Sequence, residues 1–248
     1  MEASGPAFTI PQQDAFIPTI KIIGAGGGGG NVVSKMADEG IKHVELIACN
    51  TDLKALNSSN ATIKMELGRE LTRGLGAGAR PEIGAHAAEE SAAEIEQMLN
   101  GADMAFIVAG MGGGTGTGSA PVIARISKSK KILTVGVVTL PFSFEGKRRM
   151  RAALQGVATL RENTDTLLVI PNERLLEATD RSTSFKDAFH MVDEVLVHAI
   201  QGITDLLNGV GDINVDFADM QTVMEGMGRA VIGKGTGVGK DRMFRAID

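Results

Sequence analysis

The sequence predicts an α/β fold, a Rossmann-like parallel sheet with helices on both faces. Three observations predict it. Thr19 to Ile23, Val44 to Cys49, Met104 to Ala109, Ile132 to Thr139 and Thr166 to Ile170 are near-continuous apolar runs rather than alternating ones, as strands buried on both faces are. Stretches of helical spacing lie between them, the alternation that gives parallel strands joined by crossover helices. Glycine is abundant, 32 of 248 residues, and clustered after strands rather than periodic, which excludes collagen-like and low-complexity chains.

The elements follow in order. Residues 1–18 lack apolar periodicity and read as a disordered tail. Thr19 to Ile23 is the first strand, Gly24 to Gly30 a glycine loop, and Asn31 to Gly40 an amphipathic helix. Gly40 stops that helix, because glycine takes the left-handed conformation at a helix end without steric cost. Val44 to Cys49 is the second strand and runs into Asn50-Thr51-Asp52; Ile63 to Met65 is a short third. Arg73 to Pro81 (RGLGAGARP) reads as a flexible loop, and Pro81 to Leu99 as one helix. After the strand Met104 to Ala109 comes GGGTGTG, Gly112 to Gly118, and then a helix from Ser119 to about Lys128. The strand Ile132 to Thr139, the loop Pro141 to Lys147, a helix to about Arg161 and the strand Thr166 to Ile170 follow. Pro171-Asn172 turns that strand into a short helix. From Thr183, the residues Phe185, Phe189, Val192, Leu196, Ile200, Ile203 and Leu207 recur at threes and fours, a helix of roughly 24 residues. That is about twice the usual length, enough to act as a spine. A short helix to about Met227 and the glycine-rich stretch Gly233 to Gly239 precede a helical end at Asp248.

Composition narrows the function classes. The net charge is −5, and the chain has no Trp and no Tyr. With no basic block, this is a poor nucleic-acid surface. Cys49 lies in an apolar run and reads as a small core residue. His43, His86, His190 and His198 give no zinc spacing, and no metal-ligating cluster is expected. The N-terminus lacks the charged start and apolar core of a signal peptide, and no segment approaches the ~20 apolar residues of a membrane span. The chain therefore reads as soluble and cytoplasmic, without membrane insertion.

The glycine loops carry the chemistry. GGGTGTG cannot pack a core, but glycines let backbone N–H groups approach an anion. Between a strand end and a helix N-terminus, phosphate is the expected ligand. The first loop holds Gly24-x-Gly26-x-x-Gly29 between a strand and a helix, with Asp52 at the end of the next strand. That is also the context of a dinucleotide fingerprint, so on this loop alone an NAD(P)-binding oxidoreductase remains open. GKGTGVGK, Gly233 to Lys240, has Lys234 where a Walker A sequence needs glycine, and reads as a loop. Two glycine loops plus RGLGAGARP wrap a phosphate chain from several sides, which suits a nucleoside triphosphate better than one pyrophosphate.

Taken together, GGGTGTG, GAGGGGGN, NTD at Asn50 to Asp52, RGLGAGARPE, PFSFEGKRR and NVDFAD resemble, in order from Thr19 to the end, the FtsZ family of tubulin-like division GTPases. The resemblance implies a GTP-binding domain over 19–182, a central helix over 183–208, and an acid loop opening an incomplete second domain over 209–248. It implies GTP or GDP with Mg²⁺ as ligands. Phosphate contacts fall on Gly27, Gly28, Asn31, Gly114, Thr115, Gly116 and Thr117, with Ala77 and Gly78 beside the γ-phosphate. Asn50 and Asp52 fall near Mg²⁺, and Glu145 and Arg149 near the ribose. Without the family, Glu145 reads equally as a carboxylate at a helix N-terminus. Asn172, Phe189 and Asp193 fall around the base, where a carboxylate accepts from guanine N1–H and its amino group; alone, Phe189 and Asp193 read as core and solvent residues. Asp216 and Asp219 are the implied catalytic acids, acting on the nucleotide of the next subunit, although Asp-x-x-Asp before a helix also reads as a cap.

The implied partner is a second copy in a head-to-tail protofilament, at the mid-cell division site. The chain stops soon after the long helix, where the family continues into a four-stranded domain and a tail that meets other division proteins. A truncated chain that binds GTP without polymerising is therefore a further alternative.

Overall fold

Seven strands hydrogen-bond in the order β3-β2-β1-β4-β5-β6-β7, every neighbouring pair parallel. They are β1 (Ile20–Ala25), β2 (Val44–Asn50), β3 (Ile63–Glu66), β4 (Met104–Gly110), β5 (Leu133–Leu140), β6 (Thr166–Pro171) and β7 (Gly228–Ala230). The structure is a computed structural model describing residues 18–177, 184–207, 215–231 and 238–242. The tail, the predicted helix start at Thr183, residues 208–214, glycines 233–237 and the predicted terminal helix lie outside the described residues. The helices are α1 (Gly26–Asp38), α2 (Leu53–Asn57), α3 (Arg69–Thr72), α4 (Pro81–Glu90), α5 (Ala92–Met98), α6 (Thr115–Ser129), α7 (Lys147–Glu162), α8 (Asn172–Glu177), α9 (Phe185–Leu207) and α10 (Phe217–Met224).

The apolar strands bury both faces. Ile20, Ile22, Phe106, Val108, Val135 and Val137 pack against Val32, Val33 and Met36 of α1 and Val192, Leu196 and Ile200 of α9. The alternate residues Ile23, Ala25, Ala105, Ile107 and Ala109 pack against α4 to α7 through Ala87, Ile95, Ile123 and Leu160. Cys49 is fully buried there, and burial pushes its thiol up to about 12, so it is a core residue without thiolate chemistry.

Several boundaries differ from the sequence expectation. The stretch Gly26 to Gly30 is the first turn of α1 rather than a loop before Asn31. Packing overrides the low helix propensity of glycine: a Cβ on Gly29 would lie 2.1 Å from the Val108 carbonyl oxygen. For the same reason α6 begins at Thr115, not Ser119; a Cβ on Gly118 would lie 2.0 Å from the Pro81 carbonyl oxygen. The predicted helix 81–99 breaks at Ser91 into α4 and α5, and the buried Ser91 hydroxyl accepts from Gly68 N at 3.0 Å. The short α2 and α3 were not expected. Nor was β7, whose Gly228 donates to the Asp165 carbonyl at 2.9 Å, while α10 ends at Met224 instead of Met227.

Topology places two ends of the molecule. β1 and β4 run in register, Ala25 beside Ala109, so both glycine segments leave the same carboxyl edge at the point where strand order reverses, which is where open parallel sheets bind ligands. α9 starts at that edge and, at 23 residues and ~1.5 Å per residue, runs past the sheet. Val215 N donates to the carbonyl of Leu206 at 3.4 Å, so the chain resumes at the far end of α9. α10 then returns to the starting edge of β6, where Thr166 donates to the Met224 carbonyl at 2.6 Å.

Candidate functional site

The carboxyl edge forms a cradle built by glycine contacts. A Cβ on Gly28 would meet Gly110 Cα at 3.2 Å, and one on Gly26 would meet Gly116 N at 2.6 Å. These approaches lock the first turn of α1 against the start of α6. Gly27 and Gly113, by contrast, face open space, with nothing within 4 Å of the position a Cβ would take. Two helix N-termini with free backbone N–H groups thus converge on one opening, an arrangement that attracts phosphate.

The hydroxyls of this cradle serve structure first. Thr117 is buried, and its oxygen accepts from Gly112 N at 2.8 Å, folding GGGTGTG back on itself. Thr115 shares a 2.6 Å hydrogen bond with Thr51, tying the loop to the end of β2. Asn50 is buried and accepts from Asp52 N at 3.2 Å; Asp52 in turn accepts from Ala55 N at 3.0 Å as the cap of α2. The segment Arg73–Arg80 closes the cradle. Gly74, Gly76 and Gly78 take positive φ without steric cost, whereas Arg73 and Ala79 take it with strain, of the kind found at ligand clamps. It brings Ala77 and the backbone of Ala79 and Arg80 onto Gly114, within 3.2 Å of where its Cβ would be.

Three cavities line this edge. One of about 470 Å³ lies over Gly112, Gly113 and Gly114 and is bordered by Arg80, Glu145, Arg148 and Arg149. One of about 150 Å³ is walled by Gly28, Asn31, Glu145, Arg149, Asn172, Phe189 and Asp193. A third, about 580 Å³, reaches from Gly27 and Asn31 past Asn50 to His190 and Asp193. Together they provide room for a nucleotide.

Glu145 is held in place: one carboxylate oxygen accepts from Phe142 N at 2.8 Å, the other pairs with Arg149 at 2.9 Å. It therefore closes its own 3₁₀ turn, Ser143–Glu145, and still turns free lone pairs to both cavities it lines. Asn172 is 4% exposed and its Oδ1 has no hydrogen-bond partner. A buried acceptor without a donor is costly, and Asn172 is one of the residues that wall the smaller cavity. Asp193, on α9, is pushed up to about 6, chiefly by burial, against the pull of His190 and Lys35. A desolvated carboxylate and an orphaned amide oxygen in one pocket fit a ligand edge rich in N–H donors.

Asp216 and Asp219 stand elsewhere. Asp216 is the residue before α10 yet accepts no cap hydrogen bond, Asp219 lies in the first turn, and both are exposed. Neither lines the cavities of the carboxyl edge. The structure thus brings together the expected phosphate, ribose and base residues and sets the two acids at the opposite end. Sequence reasoning passed over Thr51, Gly110 and Arg148. Thr51 sat between two chosen residues and Arg148 in a quoted basic motif; for Gly110 the only signal was its place at the strand end.

Among the described residues no helix is long and apolar enough to cross a membrane, and no group of three or more His, Cys, Asp or Glu is placed to hold a metal. Asn50 and Asp52, at the end of β2 beside the cradle, are oxygen-bearing side chains that suit the water shell of a divalent cation.

Comparison with known proteins agrees with this geometry. The GTPase domain of the Tubulin/FtsZ family matches residues 19–180. An FtsZ dimer from M. jannaschii in its empty form is 47% identical over 96% of this chain and 68% of its own, with a TM-score of 0.90. A mutant of the M. jannaschii FtsZ gives 48% identity, 93% and 69% coverage, and a TM-score of 0.89. CetZ2 from Haloferax volcanii, a GTPγS-bound protofilament, shares the fold at 23% identity, with 88% and 67% coverage and a TM-score of 0.74.

Proposed function

The chain belongs to the Tubulin/FtsZ family and carries its GTPase domain, and we propose that it is the subunit of a GTP-driven division filament whose active site is completed between two copies. The observation that carries this reading is the separation of half-sites. The cradle and base pocket lie at one end of α9, and two carboxylates without a cap bond lie at the other.

In this reading Gly27, Gly28, Asn31, Gly114, Thr115, Gly116 and Thr117 bind the phosphates mainly through backbone N–H groups, with Ala77 and Gly78 at the γ-phosphate. Glu145 and Arg149 orient the ribose. Asn172 accepts from the guanine amino group, Asp193 from N1–H and the amino group, and Phe189 covers the ring. Adenine offers no such donor pair, which gives the preference for guanine. Asn50 and Asp52 would hold Mg²⁺ through its water shell, and the ion would supply charge neutralisation on the phosphates. Asp216 and Asp219 of the next copy orient and deprotonate the water that attacks the γ-phosphorus as its bond to the β–γ bridging oxygen breaks. The similar M. jannaschii structure is an FtsZ dimer, which supports self-association. The proposed site of action is the cytoplasmic face of the division plane, with other division proteins engaged by a longer form.

The dinucleotide alternative gives way to the match of residues 19–180 with the Tubulin/FtsZ GTPase domain. A GTP-binding chain that stays monomeric remains the second reading. The deciding measurement is GTP turnover per subunit against protein concentration, with pelleting in parallel. A steep rise is expected; turnover independent of concentration would refute a shared site.

A further inference from the structure

The two walls of the small pocket come from different elements, and one side chain joins them. Glu145 and Arg149 arrive with the 3₁₀ turn and α7, whereas Asn172 opens α8. The next residue, Glu173, accepts from Ser143 N at 2.8 Å with one carboxylate oxygen and from the Ser143 hydroxyl at 3.0 Å with the other. Both bonds are charge-assisted, and a two-point contact fixes orientation as well as distance. On its other side the turn is held by rings. Phe142 is buried, stacks on Phe144 at 4.9 Å and meets Phe189 edge-on at 5.3 Å. The turn that carries Glu145 is thus fastened to α9 by aromatic contact and to α8 by the two hydrogen bonds from Ser143 to Glu173.

We propose that Glu173 is a positioning residue of the nucleotide pocket: by accepting both Ser143 hydrogens it sets the distance between the ribose side at Glu145 and the base side at Asn172. The inference rests on reading this pocket as a guanine-nucleotide site. Glu173 is exposed and lines none of the three cavities, so it acts through the turn rather than on the ligand. Its removal should therefore reach binding without reaching the catalytic acids at the far end.

The test uses the full chain with fluorescent N-methylanthraniloyl-GDP as probe, and compares Glu173→Ala, Glu173→Gln, Ser143→Ala and the double variant Ser143→Ala/Glu173→Ala. Glu173→Ala should weaken binding by about tenfold and raise KM for GTP by the same factor, with kcat at saturation within twofold. Glu173→Gln, which retains one acceptor, should recover most of the loss. The double variant should bind no worse than Glu173→Ala, because both substitutions break one contact. Unchanged affinity in Glu173→Ala, or losses that multiply in the double variant, would overturn the inference. A wild-type chain that binds GDP no better than ADP would instead remove the guanine reading on which it stands.

Discussion

The two ends of α9 are built on opposite principles. At the carboxyl edge, backbone touches backbone: Gly24, Gly26, Gly29, Gly116 and Gly118 each sit where a Cβ would come within 3.0 Å of a neighbouring atom. At the far end, Asp216 and Asp219 are exposed on a short helix held by buried Met220, half-buried Phe217 and Met224, and a three-residue edge strand. The first end is closely packed, and on the proposed reading it binds the nucleotide. The second is open and lightly packed, and its acids find no ligand in their own chain. If the proposed shared site is right, an enzyme divided this way would hold its substrate firmly and refrain from turnover until a second copy arrives.

The largest effect should break that division. Asp219→Ala should lower kcat by roughly 10²- to 10⁴-fold, the usual contribution of a positioned acid or base, while GTP affinity stays within twofold. Phosphate release and nucleotide titration measure the two quantities separately. Mixing Asp219→Ala chains with Asp193→Ala chains should restore part of the turnover, since one supplies an intact pocket and the other intact acids. No recovery on mixing would favour a site complete within one chain.

The next effect separates glycines that pack from glycines that bind. Gly29→Ala drives a Cβ onto the Val108 carbonyl at 2.1 Å and should cost about 3 kcal/mol or more, at the upper end for overpacking. Gly27→Ala meets nothing within 4 Å, so the free protein should keep its stability or gain roughly 0.5–1 kcal/mol from better helix propensity. Its nucleotide affinity should nevertheless fall, because the methyl enters the cradle. Thermal melts with and without GDP distinguish the two. Gly27→Ala with unchanged GDP affinity would move the phosphate away from α1.

These contrasts also show what the sequence made legible. Continuous apolar runs fixed five central strands, because burial on both faces leaves few other compositions. The family resemblance, rather than spacing alone, selected residues that fold around one opening, from Gly28 to Asp193. The two misplaced helix starts share one cause: the glycines of α1 and α6 were read by intrinsic preference, although contacts with residues far along the chain, such as Val108 and Pro81, decide their conformation. The strand β7 carries too little pattern in Gly228-Arg229-Ala230 to be seen before β6 is in place. The Ser143–Glu173 contact spans thirty residues and leaves no local mark.

Asp193 offers a finer probe of the binding end. Its carboxyl is raised to about 6, so the folded chain holds that proton more tightly than the unfolded chain does. Stability of the nucleotide-free protein should therefore fall as pH rises from about 4 to about 6, by roughly 1–2 kcal/mol after allowance for solvent screening. GTP affinity should change in the opposite sense and rise through the same midpoint, because only the carboxylate accepts from both guanine donors. Asp193→Asn should flatten both profiles and erase selectivity for GTP over ATP. A GTP titration independent of pH between 5 and 7 would place the base elsewhere.

The smallest effect concerns the strut between cradle and spine. Lys35 on α1 pairs with Glu194 on α9 at 2.8 Å, with side chains 26% and 53% exposed. Such a pair contributes roughly 0.2–1 kcal/mol and is screened by salt. Lys35→Ala should therefore barely move the melting temperature, and only at low ionic strength. Lys35 also helps hold the Asp193 carboxyl down, so its loss should move the pH midpoint of GTP binding upward while affinity at pH 8 stays the same. Should affinity fall several-fold at pH 8 instead, Lys35 would be acting on the ligand directly, through the cavity it shares with Asp193. The binding end would then extend one helical turn further along α1 than the glycines alone define.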